Sequence, residues 1–257
     1  MSWPWKSVDW NDPKGGTIRF FPYIPTTVMP RSLRPRDDWD GVALLLHEEE
    51  RDGWADEEKM EAQGKGSATM LAIHGGGDLS RMLIRMQYID EINAAKFPDP
   101  EPRRLVNLAK KGSLPTYFVE PGVDDEEWLA WMEACADEAS RLPRMFMQLF
   151  ARRRFAKTWK KTQPEVTEPS INESGDALAL AAGLAATWWR VTESFSTDEL
   201  REQRNTRLTS RLRGALAHLV ESKDDAVLIV PIFQDWMKDI LASLKTNKEV
   251  EEVGPVA

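Results

Sequence analysis

His74-Gly75-Gly76-Gly77-Asp78 is the stretch of this chain whose residue types could do chemistry. Glycines leave backbone N–H groups bare, and bare N–H groups can stabilise a developing oxyanion. An HGGG stretch has that use in one class of esterases. His74 and Asp78 would then serve a hydrolase-like enzyme. The same chemistry needs a nucleophile on a G-x-S-x-G turn, and the chain has none. As a phosphate cradle the loop also fails. Asp78 stands where the anion would sit, and no Lys-Ser/Thr pair follows. The plainer reading is a glycine turn whose Asp78 caps the next helix.

Metal chemistry has little to build on. His47, His74, His218 and Cys135 are scattered without ligand spacing, so neither a metal site nor a cofactor is expected. A single cysteine also excludes an intrachain disulfide and points to a reducing, cytoplasmic setting. The longest apolar run, Ala177 to Trp189, is too short to span a bilayer, so no membrane partner is expected. The net charge of −8 argues against a general nucleic-acid coat. A local basic patch remains: Arg152, Arg153, Arg154 and Lys157, with Trp159 beside them, suit a single strand. A second row, Arg204, Arg207 and Arg211, shares its helix with Glu199 and Glu202.

Charge is sorted by segment. Residues 1–36 carry six bases against Asp9 and Asp12, six prolines, and interleaved aromatics. Such a segment reads as an extended arm lying on a surface, its own or a neighbour's. Residues 37–62 are sharply acidic and could receive it. Glu120 to Glu138 holds eight acids and no bases, and Arg141 to Lys161 holds eight bases and no acids. An αα-hairpin over 123–161 would bring these two blocks together. Trp128, Leu129, Trp131 and Met132 are apolar anchors of its first helix.

The elements that must position these groups follow from periodicity. Strands are expected at Thr17–Phe21, at 68–73, at Thr116–Val119 and at Ala226–Val230, and Val42–Leu46 is either a strand or a helix start. Gln63-Gly64-Lys65-Gly66-Ser67 reads as a loop. A helix with Met82, Leu83, Met86, Ile89 and Ile92 follows the glycines. Later helices begin at Asp176, at a capping box formed by Ser196 and Glu199, and at Asp235.

The expected fold is mainly α with a small minor sheet, α+β or α/β, ending in a helix–strand–helix unit. Its expected parts are the arm 1–36, a mixed region 37–162, a Pro/Ser/Asn-rich linker 163–175, a unit 176–246 and a flexible tail 247–257. Eleven tryptophans and the sorted charges favour a non-enzymatic interaction or assembly subunit. It would dock to protein subunits, itself included, through Trp3, Trp5, Trp10, Arg19, Phe20, Phe21, Arg34, Arg36 and the charged helices. The alternatives are the hydrolase with His74 and a nucleic-acid accessory protein.

Overall fold

The computed structural model describes residues 3–36, 38–64, 67–171 and 174–256. Among them, β-branched and aromatic runs pair into a five-stranded sheet. Its strands are β1 (Val8–Asn11), β2 (Thr17–Tyr23), β3 (Gly41–Leu44), β4 (Thr116–Phe118) and β5 (Val227–Phe233), in the order β1-β2-β5-β3-β4. β1 is antiparallel to β2, and the other four strands are parallel. Pro22 and Pro231 lie within central strands, where a missing donor ordinarily breaks a ladder. Each sits where one neighbour has already ended. β1 pairs no further along β2 than Phe20, and β3 no further along β5 than Ile229.

The helices are α1 (Glu49–Gly64), α2 (Ser67–His74), α3 (Gly77–Met86), α4 (Pro100–Gly112), α5 (Glu126–Ser140), α6 (Leu142–Leu149), α7 (Ala151–Thr162), α8 (Gly175–Glu193), α9 (Asp198–Val220) and α10 (Met237–Thr246). The fold is therefore mainly helical around a minor mixed sheet, as expected. Alternation along the strands gives each face its own core. Phe21, Tyr23, Val42, Leu44 and Ile229 pack with residues of α3, α4, α7 and α8. Ile18, Phe20, Ala43, Leu228 and Val230 pack with Trp128 of α5 and with α9 and α10.

Several expectations are corrected. Residues 1–36 are not a detachable arm, because β2 is a central strand and Trp3, Trp5, Phe20 and Phe21 are buried. The expected strand at Thr17–Phe21 is present and runs on through Pro22 to Tyr23. The 68–73 segment is helical, since a short apolar run has no decisive period and Ala, Met and Leu favour helix. Between α1 and α2, Lys65 and Gly66 of the expected loop lie outside the described residues, as do Asp37 and Asn172. The Ser196 capping box is replaced by Thr197, whose side chain accepts from the Leu200 N–H.

The expected linker at 163–175 separates nothing. β5 inserts between β2 and β3, the Trp5 Nε1–H donates to the Thr167 carbonyl at 2.6 Å, and Val166 and Ile171 pack on the core. Nor is 247–256 a loose tail. Val253 is buried, and the Val256 N–H reaches the Thr116 carbonyl at 2.8 Å. The hairpin's second arm is broken at Phe150 into α6 and α7.

Candidate functional site

The HGGG loop does not assemble an active site. His74 is exposed at the end of α2. Gly76, with φ 76°, occupies the N-cap of α3 in place of Asp78. Asp78 is instead held by Arg81 at 2.9 Å and Arg154 at 3.0 Å. That pairing also splits the basic patch. Arg154 stacks on Phe195 at 4.0 Å and Trp159 packs against Gly183, while Arg152, Arg153 and Lys157 stay exposed. The expected docking residues of the N-terminal segment are likewise used internally. Arg19 pairs with Asp9 at 2.8 Å and Asp38 at 2.7 Å, Arg34 with buried Glu101 at 3.0 Å, and Trp10 lies beneath Arg213. Arg36 alone of that set is freely exposed at the surface.

An open α/β sheet ordinarily takes its ligand at the carboxyl ends of its parallel strands. Here that edge is closed. Tyr23, Phe233, Trp188, Trp189 and Trp236 pack ring against ring, leaving cavities of about 50 and about 10 Å³. Ligand sites are several hundred Å³. The carboxylates there serve the fold. Burial pushes Asp99 up to about 7, against the pull of donors from the Thr26 N–H and the Tyr23 hydroxyl. Glu120 is also pushed up to about 7, first by burial and then by Glu50. Arg204 is sandwiched near Trp189 and Trp236 and held by Glu193 through two bonds of 2.8 Å.

An open concavity lies between α5 and α9, on the face of the sheet that α9 and α10 cover. Its volume is about 400 Å³, and its floor is Trp128 and Trp131. The two rings, three residues apart on one helical face, stack at 4.4 Å with 25° between planes. Asp125 caps α5 by accepting from the Trp128 N–H at 2.8 Å, and the Trp131 Nε1–H donates to the Leu200 carbonyl at 2.9 Å. The second bond fixes the Trp131 indole, and burial in the core holds that of Trp128.

Glu199, Glu202 and Thr206 recur at helical spacing along the facing side of α9, and Glu127 and Glu249 complete the rim. The trough continues past Asp125, Glu126, Val250 and Glu251, so seven carboxylates and one base, Arg207, line it. Arg207 is clamped by Asp125 and Glu127, both at 2.5 Å, and by Glu251 at 2.6 Å. Among the described residues no ion pair engages Glu199, Glu202 or Glu249. The groove is thus aromatic and anionic.

No protein-family model, curated protein or solved structure matches the chain.

Its chemistry is read from the groove alone. Trp128 is buried at the base of the stack, so the half-buried Trp131 indole is the one that offers a π-face to a cation, and the unpaired carboxylates add long-range attraction. Among the described residues no three His, Cys, Asp or Glu side chains are grouped to hold a metal ion. No helix among them is long and apolar enough to cross a membrane. Sequence reasoning named Trp128 and Trp131 as anchors and set Glu199 and Glu202 aside as diluting a basic row. The groove needed their juxtaposition, and that juxtaposition comes from packing α5 on α9. The row Arg204, Arg207 and Arg211 is consumed by Glu193, Asp125, Glu127 and Glu251.

Proposed function

We propose that this is a non-enzymatic docking protein whose groove between α5 and α9 takes a basic, partly apolar segment of a partner protein. The observation that carries the reading is the fixed Trp128–Trp131 stack beneath the unpaired carboxylates of Glu199, Glu202 and Glu249. A Lys or Arg side chain suits it. The aliphatic stem covers the Trp131 indole while the charged head meets the rim. Tryptophan is also the residue type that most often dominates interface energetics. The closed strand ends and the dispersed His74 loop favour docking over hydrolysis.

The test is calorimetric titration with two synthetic helical peptides of equal length, one Lys/Leu and one Glu/Leu. The basic peptide should bind with an affinity that falls steeply with salt, and the acidic one should not. Glu199→Lys/Glu202→Lys, which alters only exposed side chains, should weaken basic-peptide binding by at least tenfold. Equal binding of the two peptides, or an unaffected double variant, refutes the reading.

A further inference from the structure

We infer that the groove's partner is a second copy of this chain, presenting its α6–α7 segment to it. This rests on the docking reading above. Leu142, Met145, Phe146, Leu149 and Phe150 recur at i, i+3, i+4, i+7 and i+8, and each is more than half exposed. They form a continuous apolar stripe along α6 and its junction with α7 that none of the described residues covers. α7 follows directly, and its Arg152, Arg153, Lys157, Lys160 and Lys161 are exposed. None of these five bases is engaged by an ion pair among the described residues. No acid occurs from Arg141 to Lys161. An amphipathic helix laid by its apolar face into a groove, with i, i+3, i+4 and i+7 anchors, is a recurrent docking mode.

The two surfaces match in kind. One is apolar and cationic with unpaired bases, and the other is aromatic and anionic with unpaired acids. They cannot meet within one chain. The groove sits on the first half of α5, whereas α6 begins beyond the far end of that helix, after the single residue Arg141. Within α5, Trp131 lies nine residues before the terminal Ser140, roughly 14 Å along the axis. Arg144 moreover pins α6 in place, through Glu138 at 3.1 Å and the Ser194 carbonyl. Contact is therefore made in trans. Each copy carries both faces, so two copies can pair reciprocally about a two-fold axis or join head to tail into a ring or an open chain.

Sedimentation velocity on the purified full-length chain tests this with two surface variants, each first checked for a wild-type melting curve. Phe146→Glu/Leu149→Glu removes the apolar stripe, and Glu199→Lys/Glu202→Lys removes the groove's charge. The wild type should sediment as oligomers that dissociate as salt rises. Either variant alone should be monomeric, and an equimolar mixture should form a dimer, since each variant keeps the face the other lacks. A groove variant that associates like the wild type, or a mixture that stays monomeric, overturns the inference. A wild type that is monomeric at every concentration also overturns it. If that monomer still binds the Lys/Leu peptide, the docking reading stands and only the identity of the partner falls.

Discussion

Gly214→Ala has two opposed consequences. Gly214 lies inside α9, and alanine in a helix interior is favoured over glycine by about 1 kcal/mol. On propensity alone the substitution stabilises. A Cβ at 214, however, would overlap the Glu251 carbonyl oxygen and stand 2.7 Å from its carbon. Both are backbone atoms, so the segment after α10 must lift. Lifting breaks the bond from the Glu251 N–H to the Ser210 carbonyl, which contributes about 1 kcal/mol. It separates Glu251 from Arg207 and Arg211, half-exposed pairs that together contribute about 1 kcal/mol. It also exposes Val253, at about 2 kcal/mol. After the propensity gain, about 3 kcal/mol of stability is lost. For a domain of this size that lowers Tm by roughly 6–12 °C. Thermal melting followed by circular dichroism reads the sign directly. Limited proteolysis should also cut the variant first beyond residue 246. A variant that melts at or above the wild-type temperature would show that the tail is not seated on α9, and the groove would lose Glu249 from its rim.

Two further outcomes are expected. Asp12→Ala should cost about 3 kcal/mol by urea denaturation, because it strands Arg213 in a pair whose side chains are each only 5% exposed. Asp12→Ala/Arg213→Leu should recover part of the loss, and equal loss in the single and double variants would refute the burial argument. For Asp99, burial holds the folded-state carboxyl at about 7 while the unfolded chain titrates near 3.8. The native state therefore keeps its proton longer, and this group's contribution to stability falls as pH rises from about 4 to about 7. Comparing urea midpoints at pH 5 and pH 8, Asp99→Asn should lose less stability than the wild type. An unchanged difference between the two pH values refutes it.

Much of the sheet could be read from residue order, and its connectivity could not. Thr17–Phe21 and Ala226–Val230 announce strands by composition, but β2 and β5 are some two hundred residues apart and nothing local specifies their pairing. That pairing decides the fate of the N-terminal segment. Six prolines and interleaved charges look like an arm until Arg19 finds Asp9 and Asp38, and Phe20 and Phe21 enter opposite cores. The 68–73 run is ambiguous for a different reason, because a six-residue, mostly apolar run satisfies a strand and a helix equally. In the groove, the i, i+3 tryptophans were visible in α5. Glu127 was visible beside them, but the rest of the carboxylate rim comes from α9 and from the tail, and so depends on tertiary packing.

The sorted charges acquire a different meaning once the elements are placed. The acids of α5 and the bases of α6–α7 adjoin in sequence, which invites mutual neutralisation. Among the described residues only Glu138 makes that contact, with Arg141 and Arg144, at the joint itself. Further along, Asp125 and Glu127 turn to Arg207 on α9, and Arg154 turns to Asp78. An excess of bases is left on α7 and an excess of acids around the groove. Unpaired like charges on one surface repel one another, at a cost to the isolated chain. An ionic strength near 0.15 M screens them over about 8 Å, so each patch acts independently of the other within a monomer. What relieves both at once is direct apposition, with the apolar stripe of α6 and the indole floor excluding water between them. On the proposed self-docking, charge segregation that contributes little inside the molecule would act as a specificity device between molecules.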